Sequence, residues 1–86
     1  MATLALKVTL GDTWRPLQIT ASTDDTFAQV KARTLAAESV PAARAADYEV
    51  KFGGALVRDE SQSLAAARIP DGAALVVLAR RRRAVR

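Results

Sequence analysis

The chain has 86 residues, half of them apolar but only 5% aromatic, with no cysteine and no histidine. That length fits one domain near the small end of what folds alone, and the composition excludes disulfides, thiolate nucleophiles, imidazole bases and the usual zinc ligand sets. The net charge of +4 is uneven: residues 1–79 hold eight Lys and Arg against nine Asp and Glu, while the last seven, RRRRAVR, hold five arginines. Basic character therefore belongs to a tail, and a face-wide nucleic-acid footprint is disfavoured.

In chain order, MATLALKVTL is too short and too strand-like for a signal peptide, and no apolar run reaches the ~18 residues of a membrane span. With a cysteine count that fits a reducing compartment, a soluble cytoplasmic protein is expected. Leu4, Leu6, Val8 and Leu10 alternate with Ala5, Lys7 and Thr9, the period of a strand with one buried face. Gly11-Asp12-Thr13 reads as a hairpin turn, and the partner strand runs from about Trp14 to Ala21 with Leu17 and Ile19 inward. Pro16 has no N–H to donate, which suits an edge strand or a bulge. Trp14 has the opposite parity and is either a rim residue over the hairpin end or a recognition aromatic.

Thr26 with Gln29 forms a capping box, and Asp24 and Asp25 precede it at the positive end of a helix that runs to about Ser39. Phe27, Val30, Thr34 and Ala37 share one face, Lys31, Arg33 and Glu38 lie elsewhere, and Leu35 flanks the core. Pro41 ends the helix, and Ala42 to Asp47 is either a further helical turn or an irregular connection. Tyr48 to Ala79 then reads as a strand with Val50 and Phe52 on one side, a Gly53-Gly54 turn, and a short strand at Leu56-Val57. After a polar loop, Ser63 caps a helical turn that carries Leu64 and exits through Ile69. An Asp71-Gly72 turn leads to a last strand with Leu75 and Val77 inward and Val76 and Leu78 outward.

This succession, with Thr26-Phe27-Ala28-Gln29-Val30-Lys31-Ala32-Arg33, Val50-Lys51-Phe52-Gly53-Gly54, Leu64, Ile69 and Leu75-Val76-Val77-Leu78, resembles the ubiquitin-like proteins over residues 3 to about 80. The resemblance implies an α+β ubiquitin-like β-grasp: a hairpin, one α-helix, then two or three further strands in a mixed sheet, with a short one-turn helix. It implies a domain over 1–79 and a basic tail over 80–86. Conjugated members end in a di-glycine that threads the channel of an activating enzyme. Here that stretch is Arg80-Arg81-Arg82-Arg83-Ala84, whose side chains would clash there, so a conjugated modifier is not expected. The family's recognition patch falls on Lys51 and Leu78, with Val76 beside them. A lysine at its centre would cost a few kcal/mol, on the order of a buried unpaired charge, under a standard ubiquitin-binding helix. The acceptor lysine after the glycine turn is absent, with Ala55 in its place. The Asp71-Gly72 turn and the alanine and arginine bias resemble bacterial members, the ubiquitin-like proteins of type VII secretion or the ubiquitin-like subunit of multicomponent aromatic oxygenases. Both imply an assembly role without chemistry.

Catalysis finds little support. Serines 22, 39, 61 and 63 have no evident base, and Asp24-Asp25 and Asp59-Glu60 read as solvated caps rather than acid/base or metal pairs. Gly53-Gly54 precedes no helix or P-loop lysine. No enzyme and no cofactor are expected. Arg80, Arg81, Arg82, Arg83 and Arg86 are the candidate anion contacts, for nucleic-acid phosphates, an anionic surface or an acidic groove; the alternative is a solubilising extension. Without interleaved aromatics, any nucleic-acid binding would be sequence-independent. Two functions remain: a non-enzymatic protein-interaction module using Lys51, Val76 and Leu78 toward an unidentified partner, or an anion-binding protein carried by its tail.

Overall fold

The computed structural model describes residues 2–11 and 16–79. Strand β1 (Thr3–Leu10) is an inner strand of a five-stranded sheet, and its alternating leucines and valine give it one buried face, Leu4, Leu6, Val8 and Leu10. β2 (Leu17–Ser22) pairs with it antiparallel, Leu6 opposite Ile19. Among the described residues the strand begins at Leu17; Trp14, its expected start, lies outside them. Beyond β1 come β5 (Ala74–Ala79), β3 (Tyr48–Phe52) and β4 (Ala55–Leu56), in the order β2-β1-β5-β3-β4. β1 and β5 are parallel and the other pairs antiparallel. Pro16 thus sits at the start of an edge strand, where a missing donor costs nothing. Gly53 and Gly54 both take positive φ, 62° and 83°, and close the β3–β4 hairpin in two residues.

Helix α1 (Phe27–Ala37) crosses one face of the sheet. Its start is the expected capping box: Thr26 Oγ1 accepts from Gln29 N at 3.2 Å, and Gln29 Oε1 accepts from Thr26 N at 2.8 Å. Phe27, Val30 and Thr34 of the expected stripe are buried, but the face extends to one side of it. Leu35 is among the most buried side chains, Ala37 is exposed, and Lys31, expected away from the core, is buried. Relative to the stripe through Phe27, Val30, Thr34 and Ala37, the helix is turned by about 50°. Burying a leucine in place of an alanine gains several times more apolar area, and Lys31 is carried inward with it. The helix ends at Ala37 rather than Ser39. Ser39 N donates to Ala36 O and Val40 N to Leu35 O, with Ser39 at φ 63°, so the chain reverses through a Schellman motif.

Ala42–Asp47 is a 3-10 helix. The one-turn helix expected after Ser63 is instead a run of tight turns. Ser63 Oγ does accept from Ala66 N at 3.0 Å, and the segment closes as α1 does, Arg68 N on Ala65 O and Ile69 N on Leu64 O, with Arg68 at φ 58°. Leu64 and Ile69 plug the core between α1 and the sheet, beside Phe27, Val30, Leu35, Val50, Leu75 and Val77. Among the described residues, no helix is long and apolar enough to cross a membrane.

Candidate interaction surface

The alternation that fills one face of the sheet leaves the other bare. On it, Thr9 of β1 lies opposite Val76 of β5, Val76 opposite Lys51 of β3, and Lys51 opposite Leu56 of β4. Leu78 follows Val76 on the same face, opposite Glu49. The three residues read as a patch from the sequence are therefore brought together. Lys51, Val76 and Leu78 are each half-buried against their neighbours, although the helix packs on the far side.

One member of this face was not read from the sequence. Leu56 is the exposed large hydrophobic of the described residues, at 40%. A usable signal existed: a two-residue turn at Gly53-Gly54 pairs Phe52 with Ala55 and Lys51 with Leu56. The expected strand at Leu56-Val57 begins one residue earlier, at Ala55, and this places Leu56 beside the lysine. The opposite end of the row is Thr9, supplied by β1 only because β1 and β5 run parallel.

Three of the four paired acids, Asp25, Asp59 and Glu60, have structural employment. Asp25 Oδ2 accepts from Ser22 N at 2.9 Å and from Arg33 Nη1 at 2.8 Å. The Ser22 amide first, and the Arg33 guanidinium after it, hold the Asp25 carboxyl below the usual value, against the opposing effect of desolvation. Arg33 Nη1 also donates to Thr20 O at 3.2 Å, so one ion pair occupies two backbone groups, Thr20 O and Ser22 N, along β2. That blunts the outer edge of the sheet. Asp59 accepts from the hydroxyl and the amide of Ser61, which lower its pKa.

Glu60 is not the solvated cap expected. Its Oε1 lies 2.6 Å from Lys31 Nζ, with the two side chains only 16% and 7% exposed. Lys31 Nζ donates as well to Tyr48 O at 3.1 Å, so one ammonium joins α1, the 58–63 loop and the start of β3. Sequence separation hid this pair, since nothing in residue 31 announces residue 60. Asp71 likewise reaches across the chain, its Oδ1 accepting from Ala5 N at 2.7 Å while Gly72 N donates to Ala5 O. Arg80, Arg81, Arg82, Arg83 and Arg86, the anion contacts expected in the tail, lie outside the described residues.

No protein-family model matches the chain, and no curated protein matches it. Solved structures do. It is similar to the ubiquitin of Caldiarchaeum subterraneum, with a TM-score of 0.79 at 16% identity over 93% of this chain and 96% of that one. It is also similar to a ubiquitin-like domain of an Arabidopsis thaliana protein, with a TM-score of 0.76 at 15% identity over 100% of this chain and 87% of that one. At such identities the likeness speaks for architecture alone, and the chain has the ubiquitin-like β-grasp fold.

Proposed function

We propose that the chain is a non-enzymatic ubiquitin-like interaction module, a small component of a larger bacterial assembly, with its folding unit ending at Ala79. The observation that carries this reading is the row Val76–Lys51–Leu56, with Leu78 beside it, on the open face of a sheet whose other face is filled by the helix. An enzyme reading is less economical, because the acids that might act as pairs hold the fold together. The bacterial systems it resembles, type VII secretion and the multicomponent oxygenases, both use such subunits for assembly.

A second reading rests on the charge distribution. Five of the last seven residues are arginines, whereas residues 1–79 carry nine acids against eight bases. In this reading the tail binds nucleic acid or another anionic surface and the fold is its carrier. Salt separates the two, because at ~0.5 M the Debye length falls to about 4 Å while apolar contact persists.

The test is capture of a protein partner from bacterial lysate by the full-length chain, by the chain ending at Ala79 and by Val76→Asp. A partner held by the first two at ~0.5 M salt and lost by Val76→Asp supports the module. Nucleic acid or mixed acidic protein, lost on removing the tail, overturns it in favour of the anion-binding reading.

A further inference from the structure

We propose that Asp71-Gly72 is a latent site of self-modification, an aspartyl-glycyl bond that strand β1 holds back from isomerising to isoaspartate. The proposal is independent of the module reading and concerns another part of the fold.

Chemistry singles out this bond. Isoaspartate arises when a main-chain nitrogen attacks the side-chain carboxyl carbon of the residue before it. The chain has no asparagine, and of its six aspartates only Asp71 is followed by glycine. The missing side chain leaves the Gly72 nitrogen unhindered and its backbone free to turn toward the carboxyl. In the reaction the Gly72 nitrogen bonds to Asp71 Cγ, the bond from Cγ to its hydroxyl breaks, and the hydroxyl departs with the amide proton as one water. Water then opens the five-membered imide. Addition at Cγ restores aspartate. Addition at the main-chain carbonyl carbon of Asp71 breaks that carbon's bond to nitrogen, and the chain then runs through Cβ and Cγ. Water is the only co-reactant.

The fold occupies both reacting groups at once. Asp71 Oδ1 accepts from Ala5 N at 2.7 Å, and Gly72 N donates to Ala5 O at 2.7 Å. One residue of β1 therefore engages the electrophile and the nucleophile together, and ring closure requires the turn to release both. Ala5 is itself paired with Thr20 of β2, so it cannot follow the turn outward. The turn is tied on its far side as well, where Lys7 N donates to Ala73 O at 2.9 Å and the parallel pairing of β1 with β5 begins. Burial is not the shield, since Asp71 and Gly72 are both exposed. The rate in the folded chain is therefore the rate in a free peptide multiplied by the fraction of time the turn stands away from Ala5. The product does not fit back: isoaspartate adds one main-chain carbon between the two groups that Ala5 holds. Once formed, it marks a domain in which the turn and β1 have parted.

The full-length chain is held at ~37 °C and pH ~6, folded and in ~6 M guanidinium chloride, beside a peptide of residues 66–77. Isoaspartate is counted by methyl transfer from labelled S-adenosylmethionine with an isoaspartyl carboxyl methyltransferase, and located by mass-spectrometric fragmentation. Hydrogen exchange at the Gly72 amide of the folded chain gives the open fraction. Isoaspartate is expected at residue 71 in the peptide and the denatured chain. In the folded chain it should form at least about tenfold more slowly, at the peptide rate multiplied by the open fraction. Ala5→Pro, which deletes the donor to Asp71, is expected to move the folded rate toward the peptide's. A folded rate equal to the peptide's overturns the proposal, as does an unchanged rate in a folded Ala5→Pro. Absence of isoaspartate at residue 71 from the peptide, or faster conversion of another aspartate in the folded chain, overturns the site itself. Should Ala5→Pro fail to fold, the unaltered chain still decides: a folded rate more than about tenfold away from the exchange-derived product overturns the lock.

Discussion

Two residues in this fold hold left-handed backbone without being glycine. Ser39 (φ 63°) and Arg68 (φ 58°) each close a Schellman-type reversal, after α1 and after the Ser63 turns. A side chain there costs about 1–2 kcal/mol relative to glycine, of which part returns because glycine is freer when unfolded. Ser39→Gly is therefore expected to stabilise the domain by about 0.5–1 kcal/mol and to raise its melting temperature; an unchanged or lower value would show that the Ser39 side chain contributes something of its own. Asp25 carries the pH dependence at this scale. Its folded pKa lies below the ordinary aspartate value of 3.8, so its contribution is fully present above that value and disappears as pH falls through it toward the folded pKa. Asp25→Asn should be less stable than the parent at pH 7 by about 0.5–1 kcal/mol, kept small because Arg33 remains open to screening. The difference should close below about pH 3.8, as read by urea melts across the acid range.

Helix α1 shows how elements compete for the core. The helix presents Leu35 rather than Ala37, and the cost of that choice is a buried lysine. Glu60 and the Tyr48 carbonyl offset it, which makes the 58–63 loop a working part of the helix interface. Lys31→Met alone should destabilise by about 3 kcal/mol, because it removes the ammonium that faces Glu60 in a site with little water. The double variant Lys31→Met, Glu60→Leu should recover most of that loss, since an apolar pair of similar volume is often neutral. Equal losses in the single and double variants, measured by denaturant unfolding, would show that the pair does not couple helix and loop. For a domain whose total stability is on the order of 5–10 kcal/mol, the single change is large.

For the whole molecule, the sheet divides labour between its faces. One is closed by α1, Leu64 and Ile69, and the other is left to solvent with Lys51, Val76, Leu78 and Leu56. The outer edge on the β2 side is blunted by Arg33 and Asp25, which turns association away from strand addition and toward the open face. The core as described draws on nothing beyond Val77. Removing residues 80–86 is accordingly expected to change stability by less than about 0.5 kcal/mol, with thermal melts of the full and shortened chains as the check. A larger loss would place part of the tail in the folding unit.

The order of elements was legible in the chain because each rests on a local signal. Alternation set β1, the Thr26–Gln29 box set the start of α1, the glycine pair set the β3–β4 turn, and Asp71-Gly72 set the approach to β5. Three of the patch residues were legible for the same reason, since strand parity alone sends Lys51, Val76 and Leu78 to the outer face. What the sequence could not determine depends on partners distant along the chain. The rotation of α1, the burial of Lys31 against Glu60 and the clasp of Asp71 on Ala5 each join segments whose separation carries no local pattern. Thr9 beside Val76 likewise exists only through the parallel pairing of the first and last strands. Local conformational preference is written residue by residue, but which side chains share a surface is decided when the sheet closes, and there the tertiary structure alone speaks.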